Sequence, residues 1–181
     1  KIGQGMRQNQ SNVTFKNSVV YDAAVGIGVH HKYGSGTLSN VTFENIDIEK
    51  LSFANDSNRT WALFYVQNAD GFGGGPVNGL TVRNITVRDK GVTAGKLKGH
   101  SGTASISGIT FDRIYMPGSS VPAKNLYEMN MTDRAYHAPV TILPTQIPEP
   151  VEQTNLLVNP GFETGNSSGW SQYSNVGSAY Q

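Results

Sequence analysis

The most constraining feature of this chain is a nine-residue pattern that returns four times: Asn12-Val-Thr-Phe-Lys-Asn-Ser-Val-Val, Asn40-Val-Thr-Phe-Glu-Asn-Ile-Asp-Ile, Gly79-Leu-Thr-Val-Arg-Asn-Ile-Thr-Val and Gly108-Ile-Thr-Phe-Asp-Arg-Ile-Tyr-Met. The copies start at 12, 40, 79 and 108, so they lie 28, 39 and 29 residues apart. A period of this size is that of a solenoid coil, with a loop insertion over Lys50 to Pro76 in the second interval. Within each copy apolar residues alternate with Thr, so Val13/Phe15, Val41/Phe43, Leu80/Val82 and Ile109/Phe111 are expected to point inward from a short strand. Asn17, Asn45 and Asn84, with Arg113 in the fourth copy, then separate it from a second strand with Val20, Ile48, Val87 and Met116 inward. Asn suits a sharp bend there, because it tolerates the left-handed backbone region and its amide can bond the Asn one coil away.

One coil cannot bury its own apolar side chains, whereas stacked coils share a core and satisfy one another's backbone groups. The pattern therefore predicts an all-β chain, a right-handed parallel β-helix over residues 1–143. A third strand per coil is expected in Lys1-Ile-Gly-Gln, Gly26-Ile-Gly-Val-His-His and Trp61-Ala-Leu-Phe-Tyr-Val-Gln. These strands flank the loops of variable length, which in solenoids gather on one face and build a binding cleft.

Composition agrees with this class and excludes others. Charged residues make up 15% and the formal charge is +1, with Lys and Arg scattered singly, so no nucleic-acid groove is expected. No run of about eighteen apolar residues marks a membrane span. With no cysteine there is neither a disulfide framework nor a thiolate metal site, and no set of His, Asp or Glu has metal spacing, so no metal or cofactor is expected. Asn-x-Ser/Thr triplets recur from Asn9 to Asn166, but several fall where the repeated turn itself calls for Asn. Prolines at 144, 148 and 150 mark 144–154 as an extended linker.

Beyond the linker, Asn155-Leu-Leu-Val-Asn-Pro-Gly-Phe-Glu, followed by Gly169-Trp170, closely resembles the opening signature of jelly-roll carbohydrate-binding modules on bacterial polysaccharidases. The resemblance implies that 155–181 is the first strand of a β-sandwich module. The coil pattern, with Gly26-Ile-Gly-Val-His-His-Lys, resembles the pectin-lyase-like catalytic β-helix of glycoside hydrolase families 28 and 49, the polygalacturonases and dextranases. This implies a secreted, monomeric bacterial enzyme acting on a polysaccharide, of which these would be the last coils.

In those families an Asp-Asp pair precedes a stretch like Lys1-Ile-Gly-Gln-Gly-Met, so the resemblance places the acid pair before Lys1 and leaves the catalytic residues unassigned here. Inversion needs two carboxyl groups about 6.5–9.5 Å apart, one protonating the leaving oxygen and one activating water. Asp22, Asp47, Glu49, Asp56 and Asp70 read instead as solvated turn or surface acids. Ile27 stands where polygalacturonases carry the His of their Gly-His-Gly motif, and no Lys follows Arg59 at the spacing of their Arg-x-Lys clamp. Both departures favour a neutral α-glucan such as dextran over pectin. Substrate contacts are expected from Lys1, Gln4, His30, His31, Lys32, Trp61, Tyr65 and Gln67. Alternation turns one of the two histidines outward and the other toward the core or a turn, and core packing competes for Trp61. A polysaccharide lyase, which needs a Lys or Arg base and usually acid-bound Ca²⁺, and a non-catalytic β-helical adhesin are the rival readings.

Overall fold

The computed structural model describes residues 1–100 and 104–145. Four long strands, β1 (Gln10–Val20), β3 (Leu38–Ile48), β5 (Val77–Val87) and β7 (Ile106–Tyr115), alternate with β2 (Val25–His31), β4 (Thr60–Val66), β6 (Lys96–Lys98) and β8 (Asp133–Ala135). The short strand β9 (Val140–Leu143) closes the series. All ladders are parallel: one sheet runs β1-β3-β5-β7-β9, the other β2-β4-β6-β8. This is a β-helical solenoid in which each coil lays one strand on each wall.

The register follows the repeat. Phe15 pairs with Phe43, Phe43 with Val82 and Val82 with Phe111, and the column Val13, Val41, Leu80, Ile109 runs beside it. Phe15 and Phe43 stack with centroids 5.1 Å apart, and Phe64 of β4 bridges Phe43 and Phe111 at 6.0 Å from each, joining the two walls. Phe15 and Val13, at the outer edge of β1, are only partly covered.

The bends are where the Asn residues are. Asn17, Asn45 and Asn84 take φ of 52°, 53° and 51°, and Arg113 takes 54°. Asn84 Nδ2 donates to Asn45 Oδ1 at 2.7 Å, and Asn45 Nδ2 to Asn17 Oδ1 at 3.0 Å. The two strands expected on either side of these residues belong to one bent strand, because the parallel ladder resumes directly past the corner. A second left-handed corner opens each copy at Asn12, Asn40, Gly79 and Gly108, which is why only Asn or Gly stands there.

Arg113 is the misfit. It occupies a backbone region costly for a long side chain, its Nε is buried without a partner, and its 3.0 Å ion pair with Asp112 joins side chains only 23% and 17% exposed. Arg113→Asn should extend the amide column onto Asn84 and relieve the backbone. In an Asp112→Asn background, where no covered carboxylate loses its cation, the backbone relief of about 1 kcal/mol stands alone. The unfolding midpoint of the Asp112→Asn/Arg113→Asn double variant should lie about 2–4 °C above that of Asp112→Asn in a thermal melt, and a lower midpoint would refute the account.

Two expectations change. Residues 50–76 are not one insertion, since β4 lies within them and divides them into loops 49–59, which holds a 3-10 turn at Phe53–Asn55, and 67–76. Of Lys1-Ile-Gly-Gln, only Ile2 joins a wall, through a single bridge to Val29. The second module expected over 155–181, and the linker beyond residue 145, lie outside the described residues. Among the described residues no helix is long and apolar enough to cross a membrane, and no group of three or more His, Asp or Glu is placed to hold a metal ion.

Candidate functional site

The outer face of the β2-β4-β6-β8 wall is hollowed into a cleft of about 480 Å³. Its lining includes Lys1, His30, Tyr65, Gln67, Lys96 and Asp133. Parallel pairing sets this composition: His30 lies beside Tyr65 and Tyr65 beside Lys98, while Leu63 lies beside Lys96 and Lys96 beside Asp133. Side chains two residues apart on a strand share a face, so neighbouring coils contribute matched pairs.

At the centre the His30 and Tyr65 rings stack at 5.6 Å with planes 16° apart. His30 Nε2 lies 3.5 Å from Gln67 Oε1, which suits an Nε2–H donor and an amide acceptor. The Lys96 ammonium lies 5.1 Å from the Tyr65 centroid and 3.0 Å from Asp133 Oδ2. Lys98 Nζ reaches the other oxygen of Asp133 at 3.7 Å. One carboxylate thus sits between two ammonium groups, and a flat aromatic pair lies beside them. Asp56 also lines the cleft, but its Oδ1 is turned back to accept the Asn58 N–H at 2.7 Å.

Burial lowers the His30 pKa from its ordinary 6.5, and the charges of Lys1, Lys32 and Lys96 push the same way against the Gln67 hydrogen bond. A histidine with a depressed folded-state pKa contributes stability that is present above the unfolded value of 6.5 and lost as pH falls through the lower folded value. The cleft therefore holds a neutral imidazole at pH 7. A side-chain NMR titration should place the His30 midpoint below 6.5, and Gln67→Leu should move it lower still. A midpoint above 6.5 would contradict this geometry.

Of the residues expected to touch substrate, the structure brings Lys1, His30, Tyr65 and Gln67 together. His31 is fully buried, with Nε2 2.6 Å from the Gly36 carbonyl oxygen, and offers a ligand nothing. Its ring fits only because residue 75 is glycine, where a Cβ would lie 2.7 Å from Nε2. Trp61 is likewise fully buried, its Nε1–H donating to the Met129 carbonyl at 2.7 Å. The cleft-facing residues of β4 are Thr60, Leu63 and Tyr65, so alternation slips between Thr60 and Leu63 and carries Trp61 inside. Lys32 lies over the Tyr33 ring, and Gln4 holds the Tyr33 N–H through its backbone carbonyl, both outside the cleft lining.

The acids read as surface groups have surface partners. Asp47 takes Arg88 at 2.6 Å, Asp22 accepts the Ser52 N–H and hydroxyl, and Asp70 accepts the Phe72 N–H. Sequence reasoning missed Lys96, Lys98 and Asp133, since the three-residue strands that carry them have no readable period. No family model, curated protein or solved structure matches the chain.

Proposed function

We propose that this cleft binds a polysaccharide and that the chain belongs to a secreted glycoside hydrolase built on a parallel β-helix. The observation that carries the reading is the stacked His30–Tyr65 pair beside Gln67, Lys96 and Asp133 on one wall. A pyranose has an apolar C–H face that suits an aromatic ring and a rim of hydroxyls that suits amide, ammonium and carboxylate partners. Among the charged side chains that line the cleft, Asp56 and Asp133 offset Lys1 and Lys96, which favours a neutral α-glucan such as dextran.

In this reading the described residues position the sugar. The acid pair that the resemblance places before Lys1 would protonate the leaving oxygen and activate water for inversion. A second reading, an acidic uronate chain, is favoured by the presence of Lys1 and Lys96 in the cleft lining, with Lys98 sharing the Asp133 carboxylate.

Affinity electrophoresis of this chain through gels holding dextran or polygalacturonate tests both. Retardation by dextran, reduced about tenfold in affinity by Tyr65→Ala, is the expected result. Retardation by polygalacturonate alone would favour the uronate reading, and retardation by neither would sink the saccharide cleft.

A further inference from the structure

Residues 116–132, between β7 and β8, fold into a tightly cross-braced platform. The Glu128 carboxylate accepts the Lys124 N–H and the Asn125 side-chain amide, each at 2.8 Å, and Asn125 Oδ1 accepts the Glu128 N–H at 2.9 Å. The Met131 N–H donates to the Leu126 carbonyl at 2.8 Å, and the Asn130 N–H to the Tyr127 carbonyl at 2.9 Å. Leu126, Met129 and Met131 are buried beneath, and Trp61 on β4 ties the platform down through the Met129 carbonyl. Tyr127, in the middle of these anchors, is 78% exposed.

Beside that ring is a hollow of about 330 Å³, lined also by Lys90, Glu128, Asn130 and Thr132. It adjoins the cleft along one strip of chain. Thr132 lines the hollow and Asp133 the cleft, while the Asn130 carbonyl accepts the N–H of Gly95, whose neighbours Ala94 and Lys96 also line the cleft.

The geometry points to a second saccharide subsite, in which the Tyr127 ring carries a pyranose unit and Lys90, Asn130 and Thr132 meet its hydroxyls, extending the cleft for longer chains. This rests on the saccharide reading of the cleft. A tyrosine on a braced turn has its backbone already ordered, so only two side-chain torsions remain to be fixed on binding and its contact area is converted efficiently into affinity. Thr132 and Asp133 are consecutive, so a chain held at Tyr65 has only this strip to cross to reach Tyr127.

The test is calorimetric titration of the whole chain and its Tyr127→Ala, Tyr127→Phe and Tyr65→Ala variants with an isomaltotriose and an isomalto-octaose, and with the matching oligogalacturonides. Tyr127→Ala should weaken the octasaccharide about three- to tenfold and leave the trisaccharide unchanged, with Tyr127→Phe close to the parent. Its thermal midpoint should stay put, because the ring is exposed. Tyr65→Ala should weaken both lengths. An unaltered octasaccharide affinity in Tyr127→Ala, or equal loss on both lengths, overturns the distal subsite while a Tyr65→Ala defect still upholds the cleft. No binding of any of these oligosaccharides by the parent chain overturns both.

Discussion

Phe43→Ala should cost the fold about 3–5 kcal/mol, read as a lowered midpoint in chemical denaturation. Phe43 is 1% exposed and stacks on Phe15 at 5.1 Å and against Phe64 at 6.0 Å, so its removal opens a void where the two walls meet. Ladders above and below hold those neighbours in register and prevent them from collapsing into the space. Phe15→Ala, at the half-covered edge, should cost about half as much, because less apolar area leaves water there. Equal costs at the two positions would mean that the phenylalanine column does not run through a common interior.

Trp61→Ala should cost a similar ~3–5 kcal/mol, for a different reason. Besides filling space, the indole N–H satisfies the Met129 carbonyl at 2.7 Å, and Met129 is fully buried. Trp61→Phe keeps an aromatic ring but orphans that carbonyl, at a cost of about 1–3 kcal/mol. Hydrogen exchange should then speed up at Met129 to Met131, on the Tyr127 platform, while the Phe43 region stays protected. A Trp61→Ala variant with parental stability and lost saccharide affinity would instead make Trp61 a cleft residue.

The wall of long strands was legible because the solenoid writes the same local chemistry into every coil. Asn12, Val13, Phe15 and Asn17 return as Asn40, Val41, Phe43 and Asn45, and two of those four positions solve a backbone corner while two fill the core. The cleft wall was less legible. Strands β6 and β8, Lys96-Leu97-Lys98 and Asp133-Arg134-Ala135, are too short for alternation to register. They become strands because each finds an edge to pair with, β6 on β4 and β8 on β6, which is a tertiary cause.

Alternation divides His30 from His31, one facing out and one in, so only one of the two expected contacts can reach a ligand in the cleft. Phase decides the matter: His31 is two residues beyond Val29, which is buried, so it shares the inner side. Extending the alternation of Tyr65 and Gln67 backward carries Trp61 into the cleft, but the strand breaks step before Leu63 and core packing, the competing expectation for Trp61, holds. Tyr127 carried no signal at all, since a lone tyrosine in a linking segment has no period to follow.

The in-register wall also acts as a ruler. Successive coils advance by one interstrand spacing, about 4.8 Å, so Leu63, Lys96 and Asp133 are graduations along the axis of the cleft. Exchanging the side chains of Leu63 and Lys96 would slide an ammonium group one graduation along that axis without touching the interior, so the site can be re-addressed by coil number alone.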